Sequence, residues 1–296
     1  MKDKFLFVIL TCNRFFYFKN CIESIFECVD MDRIEILVCD NKTIEKGFEE
    51  YLNYISLKHN ITIKRFEDRA SNELYRAMEW SIKYAKKNKF DIINFVQDDY
   101  QYMYKRDAHL DEVLKIFQEN KNIVQVNCNM GWRRKKDGLG KIKRIRVNDV
   151  LYGILLDKRP CDNGFTRVSV YDKIGMYPQA AISWGLGPNR YVNKINGEIW
   201  FGRECRKNGW YRVLSYLPNS SMMYDCAYVR GDERYGNYFP PSNKYYFKLI
   251  EKNGQKKIKK NHDKKQFSYI EDFSIPDGWI TETQGKHGTS SVVNKI

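Results

Sequence analysis

Short apolar runs alternate with amphipathic segments over roughly the first 125 residues. The runs are short and largely apolar, as in strands buried within a parallel sheet, and they fall at 5–10, 34–39, 61–66, 91–96 and 123–126. Between several of them, apolar residues recur every three or four positions, which predicts helices with one buried face over 18–29, from about 72 to 85, and over 110–117. Strands that alternate with helices favour βαβ units and a mostly parallel sheet.

Polar residues follow the predicted strands at the points where the strands end. They comprise Thr11 to Arg14, Asp40, Glu67-Asp68 and Asp98-Asp99. Ligands of parallel α/β sheets bind outside the carboxyl ends of the strands. Because four strand ends contribute polar side chains, the sequence predicts one binding site at that edge.

The second half of the chain is less regular. Basic residues interrupted by glycines over 131–147 predict a loop or hairpin, and a helix is expected over about 199–208 with Gly209 as its stop. From Gly231 the chain becomes polar and rich in tyrosine and lysine. We therefore expect a core domain over 1–230, divided into a nucleotide-binding half (about 1–127) and an acceptor half (about 128–230), and a basic C-terminal extension over 231–296.

Composition narrows the class of protein. Hydrophobic residues make up 43% of the 296 residues, which is enough for a sizeable core, and the formal net charge of +14 favours anionic partners. Eight cysteines without CxxC spacing indicate free thiols in a reducing compartment. The longest apolar run is far shorter than the ~20 residues of a membrane span. We expect a soluble cytoplasmic protein, attached at most to an anionic membrane surface.

Gln97-Asp98-Asp99 is the clearest chemical motif. Adjacent carboxylates after an apolar strand are unfavourable unless a cation or hydrogen bonds compensate them. Mg²⁺ and Mn²⁺ take carboxylate oxygens together with diphosphate oxygens, so a metal site is one interpretation. The alternative is that the two acids cap the next segment or pair with Lys105 and Arg106.

Several segments, in order along the chain, resemble the family-two A-type glycosyltransferases. Residues 7–14 are similar to that family's first strand and loop, and 21–25 to its next helix. Residues 36–41 resemble its second strand, and 94–99 the strand that carries its DxD metal motif. Later likenesses occur at 165–167 with 173–175, and at Glu198 with 209–211. The resemblance covers about 5–225.

This resemblance implies a single α/β domain of the GT-A type, Rossmann-like, that transfers a sugar from a nucleotide diphosphate donor to a glycan or other hydroxyl acceptor, with inversion. It implies a divalent cation, Mn²⁺ or Mg²⁺, bound by Asp99. The nucleotide is expected at Thr11, Asn13, Arg14, Asp40 and Asp98. For Asp40 the other interpretation is a turn former in Asp40-Asn41-Lys42.

The chain departs from the family pattern at three points. Gln97 stands in place of the first acid of DxD, and the acidic pair before a late helix is reduced to Gly197-Glu198. The family's late histidine is missing, and Asp225 lies nearest its place. The displacement needs a general base. We expect Glu198 in that role, with Asp225 and Glu204 as rivals, although Glu198 could simply favour a helix N-terminus.

Two other functions stay open. Basic stretches at 131–147 and 252–265 would suit a glycosyltransferase that acts on nucleic acid, although we favour the alternative of a solvated surface or a patch that faces lipid headgroups. Gln97 and Gly197 would suit a non-catalytic module that still binds nucleotide sugars. The first function predicts salt-sensitive nucleic-acid binding, and the second predicts binding without turnover.

Overall fold

A computed structural model gives the fold. The residues that the structure describes are 5–67, 73–98, 100–102, 109–127, 142–147, 150–155, 164–178, 181–182, 195–215, 220–222, 246–252, 255–261, 280–283 and 289–292. Asp99 and Asp225 lie outside these ranges, as do Lys105 and Arg106.

The described chain contains six α-helices and seventeen strands. The helices are α1 Phe15–Cys28, α2 Phe48–Lys58, α3 Glu73–Lys87, α4 His109–Glu119, α5 Val170–Ile174 and α6 Gly197–Lys207. The first nine strands are β1 Phe5–Thr11, β2 Ile34–Asp40, β3 Ile61–Arg65, β4 Ile92–Gln97, β5 Tyr100–Tyr102, β6 Ile123–Asn127, β7 Ile142–Val147, β8 Val150–Leu155 and β9 Gly164–Arg167. The others are β10 Ala181–Ile182, β11 Ile195–Asn196, β12 Tyr211–Ser215, β13 Ser220–Met222, β14 Tyr246–Lys252, β15 Gln255–Asn261, β16 Ile280–Thr283 and β17 Thr289–Val292.

A nine-stranded sheet in the order β3-β2-β1-β4-β9-β6-β12-β8-β7 forms the centre of the fold. Strands β1, β2, β3 and β4 are parallel, and β12 is parallel to β6. Only β9 and β8 run against the others, β9 between β4 and β6 and β8 beside β12. The predicted α/β class with a mostly parallel sheet is therefore confirmed.

Helices cover both faces of the sheet, because alternate residues of the buried strands point to opposite sides. Phe5, Phe7 and Ile9 of β1 share one core cluster with residues of α1, α2 and α4. Leu6, Val8 and Leu10 belong to a second cluster, with residues of α3, α5 and α6. Strand β1 is buried along its whole length, which explains its uninterrupted apolar sequence.

The end of α6 confirms the predicted stop. Gly209 has a φ of +69°, a left-handed conformation in which glycine is favoured. The N–H of Gly209 donates to Arg206 O (3.0 Å), and the N–H of Trp210 donates to Cys205 O (2.9 Å). These two bonds form a Schellman cap. The chain therefore turns within three residues from α6 into β12.

The basic stretch and the C-terminal region are partly described. Strands β7 and β8 form an antiparallel hairpin, which agrees with the predicted hairpin for the end of 131–147. Beyond residue 231, β14 to β17 form a four-stranded sheet. Within the described ranges, no helix is both long enough and apolar enough to cross a membrane.

Candidate functional site

The first four parallel strands end together at one edge of the sheet. Thr11, the last residue of β1, is in register with Asp40, and Asp40 is in register with Arg65. Backbone bonds extend this alignment past the strands, because Asp98 N–H donates to Leu10 O (3.1 Å). The convergence predicted from the strand ends is therefore present, and it places Asp98, Thr11, Asp40 and Arg65 along one edge.

Asp98 is fully buried at this edge and is held by the β1–α1 segment. Thr11 Oγ1 donates to Asp98 Oδ2 at 2.9 Å, and Arg14 Nε donates to the same oxygen at 3.1 Å. Arg14 Nη2 also forms an ion pair with Asp98 Oδ1. The bidentate pair compensates a carboxylate that burial alone would strongly disfavour.

Asp40 is also fully buried and carries a second arginine pair. Arg65 Nη1 donates to Asp40 Oδ2 at 2.7 Å. The N–H of Thr43 lies 3.1 Å from Oδ1 and 3.2 Å from Oδ2, and Thr43 Oγ1 donates to Oδ1. Asp40 therefore forms the turn that was one of its two interpretations; its contact with a nucleotide stays a prediction.

Hydrogen bonds connect the β1–α1 loop to the β2–α2 loop. Asn13 adopts a left-handed conformation (φ 49°), its N–H donates to Thr43 Oγ1 (2.9 Å), and its Oδ1 accepts from Ile44 N–H (2.9 Å). Glu45 accepts the first N–H of α1, that of Phe15. The first turn of α1 contains no acid of its own, so Glu45 supplies the negative charge that a helix N-terminus favours.

Burial raises the pKa of Glu45, and its bond from Phe15 and the charge of Arg14 only partly oppose this rise. Glu45, a half-buried acid, therefore connects the β2–α2 loop to the start of α1.

Glu198 lies at the same edge of the sheet. Its helix, α6, packs on the face of the sheet opposite to the one that α1 and α2 cover. The turn after α6 leads directly into β12, which runs parallel to β6, so the N-terminus of α6 lies at the carboxyl edge. Gly197 contacts Tyr75 in the first turn of α3: a Cβ added to Gly197 would lie 2.3 Å from Tyr75 Cε1. Tyr75 therefore leaves no room for a side chain at the position before Glu198.

The other two predicted residues, Asp99 and Asp225, lie outside the described residues, but a short ladder of described strands is close to each of them in sequence. Strand β5 begins one residue after Asp99, and β13 ends three residues before Asp225. The two strands are antiparallel, with Met222 opposite Tyr100. Among the residues described, no group of three or more His, Cys, Asp or Glu side chains could hold a metal ion. Asp99, the expected metal ligand, lies outside the described residues.

The structure brings together all five predicted nucleotide-binding residues, namely Thr11, Asn13, Arg14, Asp40 and Asp98. Sequence reasoning missed Thr43, Glu45 and Arg65, which hold these residues in place. A signal existed for Arg65, the last residue of its strand, and for Thr43, three positions after Asp40 at the spacing of a side-chain turn.

Comparisons with known proteins identify the fold. Neither a family model nor a curated protein sequence matches this chain. Among solved structures, the chain is similar to S. aureus TarS in complex with UDP-GlcNAc (TM-score 0.53, 14% identity, covering 74% of this chain and 58% of that one). It is also similar to GalNAc-T7 with UDP, GalNAc and Mn²⁺ (TM-score 0.55, 13% identity, 75% and 44%).

A third similar structure is the mannosyltransferase PcManGT from Pyrobaculum calidifontis with GDP-Man and Mn²⁺ (TM-score 0.51, 11% identity, 74% and 56%). The chain spans only about half the length of these proteins. Their shared architecture defines the class: this chain has the GT-A fold of nucleotide-sugar glycosyltransferases. The resemblance inferred from the strand-end motifs is confirmed at the level of the fold.

Proposed function

We propose that this protein transfers a sugar from a nucleoside diphosphate sugar to an acceptor hydroxyl, with inversion, in the assembly of a glycan or polysaccharide. The observation that carries the proposal is that two buried acids, two arginines and Thr11 lie together at one edge of the sheet in a GT-A fold. The similar structures with UDP-GlcNAc and GDP-Man support this class of donor. We expect the nucleotide to lie against Thr11, Asn13, Arg14, Asp40 and Asp98, directly or through the arginines that the acids hold.

The proposal includes a divalent cation, Mn²⁺ or Mg²⁺, with Asp99 as its first ligand. Two of the similar structures contain Mn²⁺, which supports this choice. The carboxylate of Asp98 is already bonded to Thr11 and Arg14, so Asp99 is the better candidate. Such a cation would stabilise negative charge on the departing diphosphate.

Glu198 is the proposed general base and Asp225 its rival. Glu198 is the second residue of α6, in the first turn of that helix, and the contact of Gly197 with Tyr75 constrains this turn. The acceptor's proton would pass to one of these carboxylates as its oxygen attacks the anomeric carbon.

A thermal-shift screen tests the donor. At 100-fold excess over Kd, a ligand specific to the native state stabilises it by about 2.7 kcal/mol, which raises Tm by roughly 5–10 °C for a domain of this size. We expect this rise with UDP-GlcNAc, GDP-mannose or a related donor in the presence of Mn²⁺, and its loss in EDTA. No rise with any nucleotide sugar would refute the proposal.

Turnover is tested by release of nucleoside diphosphate from the donor that binds. We expect Asp99→Ala and Glu198→Gln to lower release at least 100-fold, whereas Glu50→Gln, at an exposed position of α2, should leave it unchanged. Wild-type binding without any release would instead favour the non-catalytic module. Full activity in Glu198→Gln would transfer the role of base to Asp225.

A further inference from the structure

The acids at the binding edge are less accessible than the arginines that pair with them. Asp40 and Asp98 both have 0% exposure, whereas the side chains of Arg14 and Arg65 are 35% and 32% exposed. A ligand that approaches this edge therefore meets guanidinium groups before carboxylates. The same arrangement occurs twice, on neighbouring strands.

Three donors already occupy the buried carboxylate of Asp40. An ionised carboxylate has about four acceptor positions. Oδ1 accepts from Thr43 N–H and Thr43 Oγ1, and Oδ2 accepts from Thr43 N–H and Arg65 Nη1. A base N–H could reach Asp40 only by opening a buried site, and it would compete there with three donors, Thr43 N–H, Thr43 Oγ1 and Arg65 Nη1.

Arg65, in contrast, is both ordered and accessible. Its Nη1 is bonded to Asp40, its Nη2 lies 2.5 Å from Glu49 Oε1, and its guanidinium carbon lies 5.5 Å from the ring centre of Phe48. A guanidinium already fixed by neighbours loses little conformational entropy when it binds an oxygen acceptor. It stands at the carboxyl end of β3, in register with Asp40 at the shared edge.

We propose that Arg65 is a nucleotide-binding residue and that Asp40 acts through it, as a positioning residue. This inference rests on the proposed function, because it names a further contact of the same site. The recognised chemistry is an acceptor oxygen of the nucleoside diphosphate, either a base carbonyl or a phosphate oxygen. Arg65 would donate to that oxygen while its pair with Asp40 keeps it in place.

The test begins with UDP and GDP titrated into the wild-type full chain by calorimetry, with Mn²⁺ present. We expect Arg65→Gln to weaken binding at least tenfold and Asp40→Asn to weaken it less, because asparagine still accepts a bond from Arg65. Lys64→Gln is the matched control, since it removes the same charge from the same strand, and it should stay within twofold. Uridine and inorganic pyrophosphate, titrated separately, show whether the lost contact is to the base or to a phosphate.

A second measurement uses the wild-type protein, so it does not depend on whether a variant folds. Phenylglyoxal modifies accessible arginines, and mass spectrometry follows each one. We expect saturating UDP or GDP to slow modification of Arg65 at least fivefold, while Arg206, exposed in the last turn of α6, reacts at an unchanged rate.

The outcomes separate this inference from the proposed function. If the wild type binds neither nucleotide, both fail. If it binds, the role of Arg65 is overturned by unchanged labelling of Arg65, by binding within twofold in Arg65→Gln, or by a loss in Asp40→Asn that equals or exceeds the loss in Arg65→Gln. The last result would make Asp40 the direct contact.

Discussion

Gly197→Ala tests how Tyr75 positions the helix that carries Glu198. The new Cβ would lie 2.3, 2.5 and 2.7 Å from three ring atoms of Tyr75, whereas carbon atoms in contact prefer 3.5–4.0 Å. The ring is 3% exposed and packs against Tyr177, with ring centres 5.0 Å apart, so it cannot simply rotate away. Either the ring or the first turn of α6 must move by about 1 Å.

Overpacking of this kind costs about 1–3 kcal/mol, and alanine at the first position of a helix recovers less than the roughly 0.5–1 kcal/mol that it gains in a helix interior. We therefore expect a net loss of about 1–2 kcal/mol in the free energy of unfolding. For a domain of this size the corresponding fall in Tm is about 2–8 °C. If Glu198 is the base, the same displacement should also lower turnover by roughly 10- to 100-fold with a smaller change in donor binding.

Urea denaturation with the double variant Gly197→Ala/Tyr75→Leu provides the decisive comparison. The smaller side chain makes room for the methyl group, so the two changes should be non-additive, and the double variant should be more stable than the sum of the single losses predicts. Arg203→Ala, at an exposed position of the same helix, should change stability by less than about 0.5 kcal/mol. Wild-type stability in Gly197→Ala, or full additivity with Tyr75→Leu, would refute this reasoning.

Two further predictions concern the loops of the site. Arg14→Gln leaves the buried carboxylate of Asp98 without its cation, so we expect the free energy of unfolding, measured by urea denaturation, to fall by about 2–4 kcal/mol. The double variant Arg14→Gln/Asp98→Asn should recover part of this loss. Equal losses in the single and double variants would contradict this expectation. Burial raises the pKa of Glu45 above its ordinary 4.5, so the folded state binds this proton more tightly than the unfolded state does. Stability should therefore fall as pH rises from about 4.5 through the raised pKa, and Glu45→Gln should remove this part of the pH dependence; an unchanged profile would exclude Glu45 as its source.

The elements that the sequence predicts well are those with a local signal. Strands β1, β2 and β4 are nearly continuous apolar runs. Helix α6 ends before Gly209, whose left-handed conformation is a local requirement of the turn. In contrast, α2 was not predicted, although Phe48, Leu52 and Ile55 recur at helical spacing. It begins after Gly47 without a side-chain cap, so the usual start signal is missing.

The parts of the site that could not be predicted depend on contacts between distant residues. Glu45 caps a helix that begins thirty positions earlier, and Arg65 pairs with Asp40, twenty-five positions away on the neighbouring strand. In the sequence, Gly197 looks like the loss of an acid, and only the structure shows that the ring of Tyr75 packs against this position. Strand β9 lies between β4 and β6 although it follows both along the chain. Such pairings are set by packing in three dimensions, which local periodicity does not encode.

The charges at the carboxyl edge of the sheet indicate whether a diphosphate bound there would need a cation. In the described segments 11–14 and 40–49, together with Arg65 and Asp98, the four acids Asp40, Glu45, Glu49 and Asp98 are balanced by Arg14, Lys42, Lys46 and Arg65. The net charge of +14 therefore lies elsewhere on the chain, and these segments offer no excess positive charge to a diphosphate. Ordered guanidinium groups can orient the nucleotide, but two or three added negative charges in a partly buried site need further compensation. This requirement favours a divalent cation as the compensating charge.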